Sequence, residues 1–242
     1  MKRFLMVALL MAYTAVACAQ SDVHPQHTQP QNQQESVQIA VSVELPKPEM
    51  SGLTVEQAIM QRRSVRNYLP NPLTLAHLSQ LLFAAQGITH TENGSALRSA
   101  PSAGALYPLE IYLVADRITG LEKGIYKYIP QSHSVELISR GEHLEELSVI
   151  CYNQMFIANG SCAIVMTAIP SRTTRVYNER GLRYIYMEAG HVSENIYLQS
   201  ASLQLATVAI GAFRDQQLKK MLLIDESEET PVYLNIIGVP AQ

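Results

Sequence analysis

One run of residues narrows the folds open to this chain more than any other. From Cys162 to Pro170 it reads CAIVMTAIP, with no charged residue in the stretch. A continuous apolar run of that length reads as a strand buried in the middle of a sheet, with both faces covered. Such a strand needs paired neighbours at its sides and apolar helices above and below it.

The rest of the chain supplies both. Thr54 with Gln57 three residues on is a capping-box pattern, and Val55, Ala58 and Ile59 then form a short helical stripe. Thr74 caps a second helix with Leu75, Leu78, Leu81, Leu82 and Ala85 on one face, and Gly87 stops it. A polar stretch from Thr89 to Ala100 follows. LEIYLVAD, then GIYKYIP and SVELIS around the turn QSH, read as strands. EHLEELSVIC reads as a helix. The longest helical segment, from Glu179 to Leu205, repeats Ile185, Ala189, Val192, Ile196 and Leu203 near the helix period. TVAIG is a short strand or turn, RDQQLKKMLLI a helix and PVYLNIIGVP a last strand. Strands and helices mix without strict alternation, which predicts an α+β fold: a sheet covered by helices in one domain spanning 51–242.

The N-terminal residues read differently. MKRFLMVALLMAYTAVACAQ has a basic start, a short apolar core and small residues, the plan of a signal peptide over 1–19. Its apolar run is shorter than the roughly 20 residues of a spanning helix. Cleavage after Ala19 is favoured over acylation of Cys18, and membrane attachment is expected only if Cys18 is lipidated. Either route exports the chain, to the periplasm or cell envelope. Residues 20–50 are rich in Gln and Pro and read as a flexible linker; His24 and His27 within it do not amount to a metal site. A net charge of -3 gives no general attraction to nucleic acid. Cys151 and Cys162, in apolar surroundings, read as buried free thiols, with a disulfide left open.

Three short stretches could carry chemistry. QRRSVRNY places Arg62, Arg63, Ser64 and Arg66 together in a mildly acidic chain. Such a cluster is either a solvated basic face or a grip on an anion, since guanidinium forks and a hydroxyl match phosphate oxygens. PSAGALYP, before a strand, offers Ser102, Ala103 and Gly104, small enough for a flat ligand to approach the backbone; it could equally be a structural loop. ATVAIGAFRD sets Ile210 and Gly211 between a strand and a helix, where glycine permits positive φ or exposes an amide.

Taken together and in this order, RRSVR, PSAGALYPLEIYLV, MEAGHVSENIYLQSASLQL and AIGAF resemble the nitroreductase superfamily of FMN-dependent oxidoreductases, SagB-type dehydrogenase branch. The likeness covers residues 52 to 240. It implies a nitroreductase-like mixed sheet covered by helices, and a homodimer with FMN at the interface. By the resemblance, Arg62, Arg63 and Ser64 would bind the phosphate and ribityl chain, and Arg66 would lie toward the ribityl or pyrimidine edge. Ser102, Ala103 and Gly104 would line the ring, and Ile210 and Gly211 would meet it near N5. A reduced nicotinamide, NAD(P)H, or another donor would reduce the flavin, and an electron-poor small molecule would take the electrons in a ping-pong cycle. The catalytic side chain stays unassigned.

The chain departs from the family twice. NIIGVPAQ carries no basic residue to meet the phosphate, so Arg172, Arg175 or another arginine of SRTTRVYNERGLR is a candidate substitute. Azoline-oxidising relatives carry Lys-Tyr where this chain has Val176 and Tyr177, which argues against peptide azole formation. The alternative reading is a non-catalytic relative that binds flavin or another anion on the same fold. His191 reads as a packing or hydrogen-bonding residue, Gly190 as a point of close helix contact. Tyr107 and Tyr184 could touch substrate or fill the core.

Overall fold

The computed structural model describes residues 41–241 apart from Asn93 and Glu226. The expected signal peptide with Cys18, and His24 and His27, lie outside the described residues.

In chain order the elements are β1 (Ser42–Glu44), α1 (Val55–Gln61), β2 (Tyr68–Leu69), β3 (Leu73–Thr74), α2 (Leu75–Gln86), β4 (Ile88–Glu92), β5 (Ser95–Arg98), β6 (Leu109–Ala115), β7 (Ile118–Thr119), β8 (Gly124–Ile129), β9 (Ser134–Arg140), α3 (Leu144–Ile150), β10 (Cys162–Ala168), α4 (Ser171–Tyr177), α5 (Arg180–Ser202), β11 (Ala206–Ile210), α6 (Asp215–Leu222) and β12 (Thr230–Pro240). The main sheet runs β1-β9-β8-β6-β10-β12-β11, with β2 added on β12. Its ladders are antiparallel, and a parallel bridge joins Ser64 to Thr207 on β11.

The apolar run is β10, paired with β6 on one side and β12 on the other. Successive side chains of a strand point to opposite faces, and here both faces are dry. Cys162, Ile164, Met166 and Ala168 pack with Leu78, Leu81 and Leu82 of α2 and Ile185, Val192 and Ile196 of α5. Ala163 and Val165 pack with Leu147 of α3 and Leu218 and Leu222 of α6. Each fully buried leucine of this kind contributes roughly 1.5–3 kcal/mol. Cys151 and Cys162 are free, buried and in clusters on opposite faces of the sheet, which excludes a disulfide between them.

The capping box at Thr54 forms, with Thr54 accepting from Gln57 N, and the Thr74 cap also closes as a box, with Thr74 accepting from His77 N. Three expectations change. The flexible linker expected over 20–50 does not extend to residue 50: Ser42–Glu44 pair with β9 and Leu45 is buried, so the folded part starts earlier. The polar stretch after α2 is a hairpin, β4 with β5, turning at Gly94 with φ 79°. The α1 stripe does not face the core: Ala58 is buried, while Val55 and Ile59 are 64% and 56% exposed.

The same outward exposure marks α5. Leu182, Tyr186 and Met187 are exposed, as are Gly190, His191 and Glu194 at the helical spacing that continues their face. Gly190 therefore has no close contact within the chain, since a Cβ there would meet nothing within 4 Å. His191 is a surface residue rather than a packed one.

Candidate functional site

The sequence-derived site residues fall into two groups along α5. The first lies where the chain leaves α1. Ser64 bridges to Thr207, and Val65 N donates to Thr207 O at 2.9 Å, so the arginine segment runs as a short edge beside β11. Ser64 Oγ meets Tyr197 Oη at 2.8 Å, and that oxygen accepts from Ala209 N at 2.9 Å. The Arg62 guanidinium sits 5.5 Å from the Tyr197 ring centre, and its ion pair with Glu194 is long, 3.9 Å. An exposed pair at that separation is weak, so the Arg62 donors stay available to an anion.

Arg63 does not join it. Its Nη1 donates to Met60 O at 2.9 Å and to Arg62 O at 2.7 Å, satisfying carbonyls at the end of α1. Arg66 lies 5.7 Å from the Phe156 ring centre, a cation–π contact outside the Ser64–Tyr197 group. Ile210 and Gly211 end β11 downstream of Ala209. The Ile210 side chain is buried in the sheet, and Gly211 is exposed. Gly211 does not have positive φ, and a Cβ there would make ordinary contact with the Tyr233 ring at 3.6 Å. Exposure of the strand-end backbone, rather than conformational freedom, is what this glycine offers.

The second group is the loop after β5. Gly104 has φ 62°, and its neighbours Ala105 and Tyr107 are also left-handed at 51° and 45°. Non-glycine residues there are strained, and such strain survives only where surrounding contacts fix it. The contacts are visible. Tyr107 N donates to Ser102 Oγ at 2.9 Å, Arg98 N donates to Tyr107 Oη at 3.1 Å, and the Arg98 guanidinium stacks 4.9 Å from the Tyr107 ring centre. Arg172 Nη1 donates to Tyr107 O at 3.1 Å and pairs with Glu110 at 2.6 Å. Arg172 is thus committed to this loop rather than to the first group; Arg175 is exposed. A Cβ on Gly104 would stand 2.9 Å from Tyr177 Oη, so a side chain there would have to displace that hydroxyl; the Tyr177 ring in turn meets Tyr184 edge to face at 5.0 Å. A cavity of about 740 Å³ opens beside Tyr177, lined by Asn178, Arg180 and Arg183 among others.

Beneath this loop lies a residue absent from the sequence reading. Glu188 of α5 is 2% exposed. Burial pushes its carboxyl up to about 7, against the Ser102 hydroxyl, the Arg98 charge and the Gln86 amide, which favour the charged form. The legible signal was its position: Glu188 lies three residues after Ile185 and four before Val192, inside the core-facing stripe. Tyr197 was missed as well.

Tyr197 lies nine positions after Glu188 on α5, about 14 Å at the α-helical rise. One chain therefore presents the Arg62–Ser64 group and the small-residue loop at different places along α5.

Comparison with known proteins adds an independent line. The family model described as the nitroreductase family matches residues 59–239. A Methanocaldococcus jannaschii protein that carries the nitroreductase name, MJ1384, is 44% identical over 197 residues, covering 81% of this chain and 96% of the relative. The microcin B17-processing protein McbC of Escherichia coli is 25% identical over 174 residues, 69% of this chain and 63% of the relative. A crystal structure from Ralstonia eutropha JMP134, described as of nitroreductase type, superposes with a TM-score of 0.72 at 27% identity, covering 83% of this chain and 90% of that one.

Proposed function

The chain belongs to the nitroreductase family, with SagB-type relatives, and from that premise we propose that this oxidoreductase is FMN-dependent and exported, passing electrons from a reduced nicotinamide or another donor to an electron-poor small molecule. One observation carries the flavin reading: Arg62 and Ser64, through Tyr197, are tied to the strand that ends at Ile210 and Gly211. A phosphate grip and an exposed strand-end backbone on one rigid unit suit a ligand with an anionic tail and a flat head.

The residues present fit FMN. Arg62 and Ser64 would hold the phosphate with charge-assisted hydrogen bonds, and Arg66 would reach it by leaving Phe156. The exposed backbone at Gly211 would meet the ring edge. Bound there, FMN supplies the two-electron transfer; the chain binds, orients and shields it. Because the two groups lie apart on α5, the loop of Ser102, Ala103 and Gly104 would cover the ring bound to a second copy. Exposed Tyr186, Met187, Val55 and Ile59 supply an apolar face for that homodimer. NAD(P)H as donor is a family-level expectation, and export leaves room for a protein donor instead.

Peptide azole formation, toward which the McbC likeness points, is disfavoured by Val176 in place of the lysine. The second reading, a flavin-binding relative without turnover, draws support from Arg63 being turned back onto α1. The test is direct. Purified mature chain is expected to be yellow or to take up added FMN, and donor-dependent reduction of an acceptor separates the two readings. A folded chain that refuses FMN rejects both flavin readings and leaves only the relative that binds another anion.

A further inference from the structure

The cavity beside Tyr177 carries charge that the flavin reading leaves unused. Its wall brings together Tyr177, Asn178, Glu179, Arg180 and Arg183. Arg180 and Arg183 stand three positions apart on α5, so they share a face of it, and both are exposed. Among the described residues neither guanidinium enters an ion pair or a hydrogen bond. Glu179 also lines the cavity, so two cations stand against one carboxylate and the wall is net positive.

The chain fixes this wall in place. Only Asn178 and Glu179 link α4 to α5, and Asn178 turns there with φ 53°. A left-handed backbone at a residue other than glycine persists where its surroundings hold it. Asn178 N donates to Thr174 O at 2.7 Å and Gly181 N to Asn178 O at 2.9 Å, and a Cβ on Gly181 would stand 3.0 Å from the Thr174 backbone. The two helices are therefore in close contact beside the cavity. α4 is tied in turn to the small-residue loop, through Arg172 to Tyr107 O at 3.1 Å and through Tyr177 Oη against Gly104. Arg183 lies fourteen positions before Tyr197 on α5, about 21 Å at the α-helical rise, so within one chain it does not reach an anion held by Arg62 and Ser64.

We propose that Arg180 and Arg183 form a subsite for the anionic group of the electron acceptor: the acceptor is a small molecule bearing a carboxylate or phosphate, whose charge docks here while its electron-poor part lies toward the 102–104 loop. The proposal rests on reading that loop as the lining of the flavin ring. Guanidinium forks match either anion. Tyr177, met edge to face by Tyr184 at 5.0 Å, gives the electron-poor part an aromatic wall.

Calorimetric titration of the FMN-loaded mature chain with 4-nitrobenzoate and with its neutral counterpart 4-nitrobenzamide tests it. No donor is present, so binding alone is read. The wild type is expected to favour the carboxylate at least about tenfold, the worth of a charged hydrogen bond. That preference should vanish in Arg180→Gln combined with Arg183→Gln, and grow about two- to fivefold in Glu179→Gln, where the opposing charge is gone. A packing role for the arginines would move neither ratio. Titration with FMN and with riboflavin separates the other source of an anion: a double variant that loses affinity for FMN but not for riboflavin would give these arginines to the cofactor phosphate and overturn the subsite. Equal affinity for the two probes in the wild type, or a carboxylate preference that survives the double variant, overturns it as well. A chain that takes up no FMN overturns the flavin reading and the acceptor with it, and the same ratio then decides whether an anion site stands alone.

Discussion

Ser64 Oγ and Tyr197 Oη lie 2.8 Å apart, and the tyrosine oxygen also takes the Ala209 amide at 2.9 Å. This pair ties the serine of QRRSVRNY to the sheet. A solvated basic face needs no buried tyrosine to fix its serine to the sheet. Here the serine is held beside β11, Arg62 lies over the same ring, and Arg63 donates one Nη back to carbonyls at the end of α1. Within the cluster, Arg62 and Ser64 share one tyrosine, and Arg63 and Arg66 turn to other partners.

Replacing Arg62 and Ser64 together by alanine is expected to weaken FMN binding at least about a hundredfold, each charge-assisted bond being worth roughly 1.5–3 kcal/mol. Both side chains are at the surface, so the urea unfolding midpoint should move little. Fluorescence titration alongside circular dichroism checks both. Unchanged flavin content would move the site elsewhere.

Tyr197→Phe separates support from contact. It removes a hydroxyl that serves two partners and leaves Ala209 N without one. A stability loss of about 1–3 kcal/mol is expected, with a smaller loss of FMN affinity than in the double variant, because Arg62 remains. Denaturant unfolding and the same titration give the two numbers.

Much of the fold was legible from short-range signals. The α2 cap, stripe and stop, and the doubly apolar β10, each state their structure locally. The misses have physical causes. β1 is three residues whose pairing with β9 is a long-range contact. The β4–β5 hairpin is polar and mostly exposed, so no alternation marks it. At the site, residue types were readable but directions were not: nothing in RRS tells that Arg63 folds back while Arg62 stays open. Glu188 was readable in principle, as an acidic residue inside an apolar stripe, and the partners that make it matter come from β5 and α2, far away in sequence.

The outward face of α5 yields a test of assembly. Tyr186→Glu with Met187→Lys places charges where an apolar surface is 63% and 53% exposed in the single chain. Light scattering should show a dimer for the wild type and a monomer for the variant, and the monomer should lose FMN because the 102–104 loop of the second copy is no longer present. A monomeric wild type that binds FMN would refute the shared site.

Gly104 and Gly190 make a matched pair. Alanine at 104 needs φ 62° and puts a methyl 2.9 Å from Tyr177 Oη, so Gly104→Ala should cost about 1–3 kcal/mol of stability. At 190 the helix backbone is ordinary and the space open, so Gly190→Ala should gain up to about 1 kcal/mol from helix propensity within one chain. If the dimer packs on this face, that gain is offset by weaker association. Unfolding at two protein concentrations separates the two effects.

The last prediction concerns pH. Glu188 in the folded chain titrates near 7, against 4.5 for an unperturbed glutamate, chiefly because it is buried. Between those values the folded state holds a proton that the unfolded chain has released. Stability from this group is therefore greatest below about 4.5 and falls as pH rises toward 7, by about 3 kcal/mol in all. His77 and His133 act the other way: burial lowers both, so the folded state keeps them neutral and their contribution grows as pH rises through the unfolded value of 6.5. The total curve mixes these terms, and the difference between wild type and Glu188→Gln isolates the carboxyl. Urea unfolding of both from about pH 5 to about pH 8 should show the wild type losing ground steadily to the variant. Parallel curves would mean that Glu188 ionises in place without cost, contrary to its burial beneath the loop.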